Sequence, residues 1–318
     1  MIAENMRRII HLSDVHFGRT DPGVVAAVLA LVRRLDPHLV AISGDLTQRA
    51  RAWQFREARA FLDALPCPQL VVPGNHDVPL YNVARRFLDP LGNYRRYITA
   101  NLRPVHTDPE FVAVGLNTTR SFTVKDGTIR PPDLRHAREA LNHAGEEALK
   151  IVVAHHPFEY PEDASTRWQK AAVIRALESL AGAGADVFLT GHLHLGYTGH
   201  TAARYRIAGR TAVIVEAGTA TSTRQRGETN SFNLLHIERS TIVVERWQWQ
   251  QTSSEFIVGD TQTFDRSSRR LWTYGTRSAR ARRRRPRIRP VEGRGVTRCA
   301  ARAWGCRSAV LSVRPPSL

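Results

Sequence analysis

"VVPGNHDVPL", residues 71–80, runs from apolar residues that read as a buried strand straight into Gly74, Asn75, His76 and Asp77. Taken alone, such a cluster could be no more than a turn. Four other apolar runs end in the same way: "SDVHFG" with Asp14 and His16, "SGDLTQ" with Asp45, "AHHPF" with His155 and His156, and "TGHLH" with His192 and His194. Each cluster closes its run at the C-terminal end of an expected strand. In a parallel α/β sheet those ends gather along one edge, where ligands bind.

The chain around these clusters has the pattern of such a sheet. "RRIIHL" and "HLVAIS" are each followed by an amphipathic stretch, "DPGVVAAVLALVRRL" and "RAWQFREARAFLDAL". Asp21 is placed to cap the first helix with Pro22 at its first position, and Val24, Val28, Leu31 and Leu35 recur at helical spacing. Further strands are expected at "QLVV", "FVAVGL", "KIVVA", "DVFLT", "AVIVEA", "FNLLHI" and "TIVVERWQWQ", with helices near 132–148 and 167–181. The later strands follow one another with few helices between, so the second half should be β-rich and partly antiparallel.

The residue types at the five strand ends point to cation chemistry. Asp14 and His16, like His192 and His194, stand two residues apart, which in an extended segment aims both side chains the same way. Carboxylate, imidazole and amide donors without a thiolate suit Mn, Fe or Zn ions better than a structural cysteine zinc site. Seven candidate donors are too many for one ion but suit two divalent ions that share a bridging carboxylate.

The series D-x-H, G-D, G-N-H-D, H-x-P and G-H-x-H resembles the signature of the calcineurin-like metallophosphoesterase superfamily, and most of all its bacterial class III cyclic-nucleotide phosphodiesterase branch. The resemblance spans Ile9 to about Trp249. It implies a four-layer α/β sandwich of two facing mixed β-sheets flanked by helices. It further implies that Asp14, His16 and His194 hold one metal, that Asn75, His155 and His192 hold the other, and that Asp45 bridges them. His76 would face the scissile phosphate and stabilise charge or protonate the leaving group. The implied reaction is hydrolysis of a phosphodiester by a metal-bridging hydroxide, with 3′,5′-cyclic AMP as the family-level candidate. A nuclease, a lipid-precursor pyrophosphohydrolase, a protein phosphatase and a non-catalytic binding scaffold are the alternatives. Asp77 is expected to orient a neighbour or cap the turn, and His156 to support the site.

Two loops offer substrate contacts. "GLNTTRSF" carries Asn117 and Arg120, and "GTATSTRQRGETNSF" carries Arg224 and Arg226. For each, a capped or solvated loop is the competing expectation.

Charge divides the chain of 318 residues. Of its 46 basic and 29 acidic residues, sixteen arginines but only Glu292 among the acids lie from Arg266 onward. The remaining 30 basic and 28 acidic residues leave the body nearly neutral. A catalytic domain is therefore expected over 1–265 and a disordered Arg-rich tail over 266–318. "RRRRPRIR" at 282–289 could tether nucleic acid or an anionic surface. A solvated tail, or the product of a GC-rich gene read out of frame, fits the same composition. Cys67, Cys299 and Cys306 form no disulfide framework, and neither a signal peptide nor a membrane span is evident. A cytoplasmic protein is expected.

Overall fold

The computed structural model describes residues 6–122, 126–158, 167–201, 210–224, 227–267 and 271–275. Its first half alternates as the sequence suggests: β1 (Arg7–Leu12), α1 (Pro22–Leu35), β2 (Leu39–Ile42), α2 (Ala52–Asp63) and β3 (Gln69–Val71). Asp21 caps α1 by accepting hydrogen bonds from the backbone of Gly23 and Val24. Two short helices, α3 (Val83–Leu88) and α4 (Gly92–Tyr97), follow the Asn75–Asp77 turn.

The chain then builds β4 (Val105–Thr107), β5 (Phe111–Leu116), α5 (Pro131–His143), β6 (Leu149–Ala154), α6 (Arg167–Gly182), β7 (Val187–Thr190), β8 (Tyr197–His200) and β9 (Val213–Glu216). Four antiparallel strands finish the fold: β10 (Ser231–Glu238), β11 (Thr241–Gln250), β12 (Glu255–Arg266) and β13 (Trp272–Tyr274).

Two mixed sheets result, with orders β13-β12-β11-β10-β1-β2-β3 and β4-β5-β6-β7-β9-β8. One apolar cluster joins their inner faces, bringing Ile9, Ala41, Leu70 and Leu235 of the first sheet together with Ala113, Ile151, Leu189 and Val215 of the second. A second cluster packs Val28, Leu31, Phe55 and Phe61 of α1 and α2 on the outer face of the first sheet. A third packs Leu141 and Leu177 of α5 and α6 on the second. Helix, sheet, sheet and helix thus stack as four layers, the expected architecture. Each central strand is buried on both faces, which is why β2, β5, β6, β7 and β9 read as near-continuous apolar runs.

The first sheet continues past residue 265. Trp272 on β13 is fully buried, donates its indole N–H to Asp186 Oδ1 at 3.0 Å, and lies under the Arg266 guanidinium. The run "RRRRPRIR" and the rest of 276–318 lie outside the described residues.

Candidate metal centre

β1, β2, β3, β6 and β7 bring their C-terminal ends to one edge, and the five polar clusters continue from them. The pairs Asp14/His16 and His192/His194 are not extended, as their spacing suggested. The backbone enters the left-handed region, with φ of 51° at Asp14, 57° at His16, 54° at Asp45, 74° at His192 and 61° at His194. Five of the eight described non-glycine residues with positive φ are therefore candidate site residues. Such conformations cost roughly 1–3 kcal/mol each and persist where the surroundings over-determine them.

Those surroundings are the other turns. Asp14 N–H donates to Gly44 O (3.1 Å), His16 N–H to Asp45 O (3.0 Å) and Gly191 N–H to His155 O (3.0 Å). His76 N–H donates to Asp45 Oδ1 (2.8 Å) and His192 N–H to Asp14 Oδ2 (3.0 Å). A side chain at Gly74 would collide with the carboxylate and backbone nitrogen of Asp45, so the close approach of these two turns requires glycine. Asp77 locks the same pair of turns. Its buried carboxylate accepts from Leu46 N (3.2 Å), Thr47 N and Oγ1 (each 2.9 Å) and Gly74 N (3.0 Å).

The side chains so placed form two groups joined by a carboxylate. In the first, Asp14 Oδ1 lies 3.5 Å from His16 Nε2 and 3.1 Å from His194 Nε2, and the two imidazole nitrogens are 3.4 Å apart. In the second, Asn75 Oδ1 lies 3.0 Å from His155 Nε2 and 2.9 Å from His192 Nδ1, with those nitrogens 3.3 Å apart. Asp45 Oδ2 stands between them, 3.8 Å from His16 Nε2 and 3.4 Å from His155 Nε2.

The donor set fits divalent cations. Asp14 Oδ1 and Asp45 Oδ2 are buried without a hydrogen-bond partner among the described residues, a costly state for a carboxylate unless a cation or proton faces it. Several of the opposite ring nitrogens are committed. His155 Nδ1 lies 2.7 Å from Ser43 O, His16 Nδ1 3.4 Å from Thr47 O, and His194 Nδ1 3.0 Å from Thr219 Oγ1. A proton donated to those oxygens leaves each Nε2 lone pair aimed into the cluster, the arrangement metal-binding histidines use.

Electrostatics point the same way. Burial by itself would raise the Asp14 carboxyl, but the His16 and His194 imidazoles beside it hold it well below the usual carboxylate range. Asp45 is held low against its burial chiefly by His155. Burial disfavours the His155 imidazolium, yet Asp45 outweighs it and pushes the ring up to about 9. His192, buried and beside His155, falls to about 4. Two ionised carboxylates thus draw positive charge into the space between the groups.

His76 sits at the edge, its ring centroid 4.8 Å from that of His16. Its Nδ1 lies 2.9 Å from Gln48 O, and its Nε2 3.3 Å from an Arg224 guanidinium nitrogen. Arg224 is therefore brought to the site, where its carbonyl also lies 3.4 Å from His194 Nδ1. Arg226 lies outside the described residues. Asn117 closes its own loop, its Oδ1 accepting from Thr119 N (2.9 Å) and Oγ1 (2.7 Å). Arg120 has Arg130 and Asp133, at the start of α5, as its charged neighbours. The competing expectation of a capped loop describes Asn117 better than a substrate contact does.

His156 packs against His155 and His192, with Nδ1 2.7 Å from Thr118 Oγ1. Thr219, Ser43 and Gln48 were not singled out by the sequence. Thr219 orients a histidine 25 positions away and Ser43 one 112 positions away, separations that no local motif encodes.

The calcineurin-like phosphoesterase family model matches residues 7–196. No curated protein matches the chain significantly. Among solved structures, a purple acid phosphatase from yellow lupin (Lupinus luteus) seeds superposes with a TM-score of 0.63 at 14% identity, over 84% of this chain and 55% of that one. This chain thus spans just over half of the lupin protein. PhoD superposes with a TM-score of 0.65 at 10% identity, over 85% and 72% of the two chains. A dimetal phosphatase from Danio rerio gives 0.56 at 14% identity, over 76% and 96%. At such identities the structural likeness establishes the fold.

Proposed function

The chain belongs to the calcineurin-like phosphoesterase family, and from that premise we propose that it is a dinuclear metal-dependent phosphodiesterase. In this assignment Asp14, His16 and His194 hold one divalent ion, Asn75, His155 and His192 hold the second, and Asp45 bridges them. The observation that carries it is Asp45 Oδ2, a buried oxygen without a hydrogen-bond partner among the described residues, between an imidazole nitrogen of each group. The Danio rerio neighbour, described as a dimetal phosphatase, is consistent with two ions on this fold.

Two such ions supply Lewis acidity and a water acidified toward neutral pH. The chain's own residues do the rest. Asp14 and Asp45, kept ionised, hold positive charge where an anionic ester must bind. Arg224 offers guanidinium N–H groups to the phosphoryl oxygens, whose charge grows in the transition state. His76, fixed by the Gln48 carbonyl, accepts an Arg224 N–H at Nε2, and it would stabilise charge on or protonate a departing oxygen once Arg224 turns to the phosphoryl group.

The resemblance to class III enzymes makes 3′,5′-cyclic AMP the candidate to assay. The test is Mn²⁺-dependent hydrolysis of bis-p-nitrophenyl phosphate and of 3′,5′-cyclic AMP, with Asp45→Ala as control. Cleavage of both by the native protein and of neither by the variant supports a dinuclear diesterase with a cyclic-nucleotide substrate. Cleavage of the aryl diester alone keeps the mechanism and removes cyclic AMP. No hydrolysis by metal-loaded protein overturns the proposal.

A further inference from the structure

A recess opens beside the candidate centre. Asn75 and His76 line it together with Arg49, Val78, Leu80 and Arg86. Its free volume is only ≈ 30 Å³, about the space of one water and far below the roughly 300–1,000 Å³ of small-molecule sites. It holds no more than a water or a methyl-sized end, so an organic group next to the centre must lie over the surface outside.

That surface is apolar. Tyr81, Val83, Phe87 and Leu88, on the segment that continues from Leu80, are exposed, as is Phe122. Leu88 and Phe122 are 86% and 87% exposed. The residues form one patch. Phe87 and Phe122 are in ring contact at 5.3 Å, and the Arg86 guanidinium donates to Ser121 O (2.6 Å) and Pro79 O (3.0 Å), tying the two segments together. Contiguous exposed apolar surface of this kind marks a binding surface.

The charge along the patch is basic, and the acids that bound it are committed elsewhere, Asp77 to the Leu46–Thr47 turn and Asp89 to Arg95. Residues 78–88 include Arg85 and Arg86 and no acid. Arg49 lies over the Tyr81 ring at 5.6 Å. Neither Arg49 nor Arg85 joins an ion pair among the described residues. A cationic inner edge and an apolar outer apron complement a molecule with an anionic head and an apolar tail. A docked protein would cover the apron but leaves unexplained why it adjoins a recess lined by His76.

We propose that the apron of Tyr81, Val83, Phe87, Leu88 and Phe122 binds the apolar chain of an amphiphilic phosphodiester whose phosphate lies at the metal centre. This rests on the phosphodiesterase assignment and adds to it the class of organic group.

The test uses two esters with the same departing group, methyl p-nitrophenyl phosphate and octyl p-nitrophenyl phosphate, assayed with Mn²⁺-loaded full-length protein below the micellar concentration. The octyl ester should show a kcat/KM at least tenfold higher. In a Leu88→Ser/Phe122→Ser variant, whose changes are at exposed positions, the octyl-to-methyl ratio should fall toward one. Equal kcat/KM for the two esters in the native protein, or an unchanged ratio in the variant, overturns the proposal. So does a dimer that is lost in the variant while the native ratio is one, since a second copy then covers the apron. If neither ester is cleaved, the phosphodiesterase assignment fails, and calorimetry with octyl phosphate decides the apron separately. Binding that is weakened at least tenfold in the variant supports the apron, and no binding to the native protein overturns it.

Discussion

At the scale of single residues, the candidate centre separates groups that hold charge from groups that hold geometry. Asp45 does both, because one oxygen fixes the His76 backbone and the other lies between the two imidazole groups. His76 makes no contact that a metal would replace, so His76→Asn should lower kcat by roughly 10²–10⁴-fold while elemental analysis finds the metal content unchanged. Asp77 holds geometry alone. Asp77→Ala leaves the buried N–H groups of Leu46, Thr47 and Gly74 unpaired, while Thr47 Oγ1 keeps the His76 carbonyl, and a loss of about 3 kcal/mol is expected in urea unfolding. An unchanged midpoint would show that the turns hold each other without it. The candidate ligands were legible in the sequence because each follows a strand end directly. The partners that orient them were not, since Thr219 and Ser43 meet their histidines through the tertiary fold. Nor could the sequence separate Arg224 from Arg120. Both are loop arginines, and only the path of each loop brings one to His76 and leaves the other beside Arg130 and Asp133.

At the scale of elements, the buried strands and the amphipathic helices were evident from their apolar pattern, but the longest strand, β12, was not, because half of its residues are exposed. Nor were short edge elements. β4 and β8 have three and four residues, too few for a period to show, and their pairing is set by β5 and β9. The start of α5 shows how such joints are secured. Asp133, buried, accepts from Arg103 Nε and Arg130 Nε at 2.6 Å each, joining the helix to the segment before β4. Burial alone would raise the Asp133 carboxyl, but the Arg130 and Arg103 hydrogen bonds outweigh it and lower its pKa. A depressed folded-state value means that the contribution is complete above the unfolded value of about 3.9 and is lost as pH falls through the folded one. Asp133→Asn should therefore destabilise the protein at pH 7 and flatten the fall in urea midpoint between pH 5 and pH 2. A variant with the native acid profile would remove this ion pair from the account.

At the scale of the whole molecule, four layers keep five strand ends in register, and the first sheet closes later than the composition suggests. Among arginines, Trp272 gives no periodic signal, yet it fills the inter-sheet core beside Phe264 and Asp186. Truncation after Ser267 should cost about 3–5 kcal/mol, the range for losing a large aromatic from a core, whereas truncation after Gly275 should leave both thermal midpoint and activity unchanged. Equal behaviour of the two truncations would exclude β13 from the folding unit. Among the described residues no helix is long and apolar enough to cross a membrane. The central claim, two ions bridged by Asp45, is tested most directly by elemental analysis of protein loaded with Mn²⁺ and freed of excess metal. Two ions per chain in the native protein, and the loss of both in Asp45→Ala with the fold retained by circular dichroism, is the expected result. Two ions retained by the folded variant, or no more than one in the native protein, would contradict it.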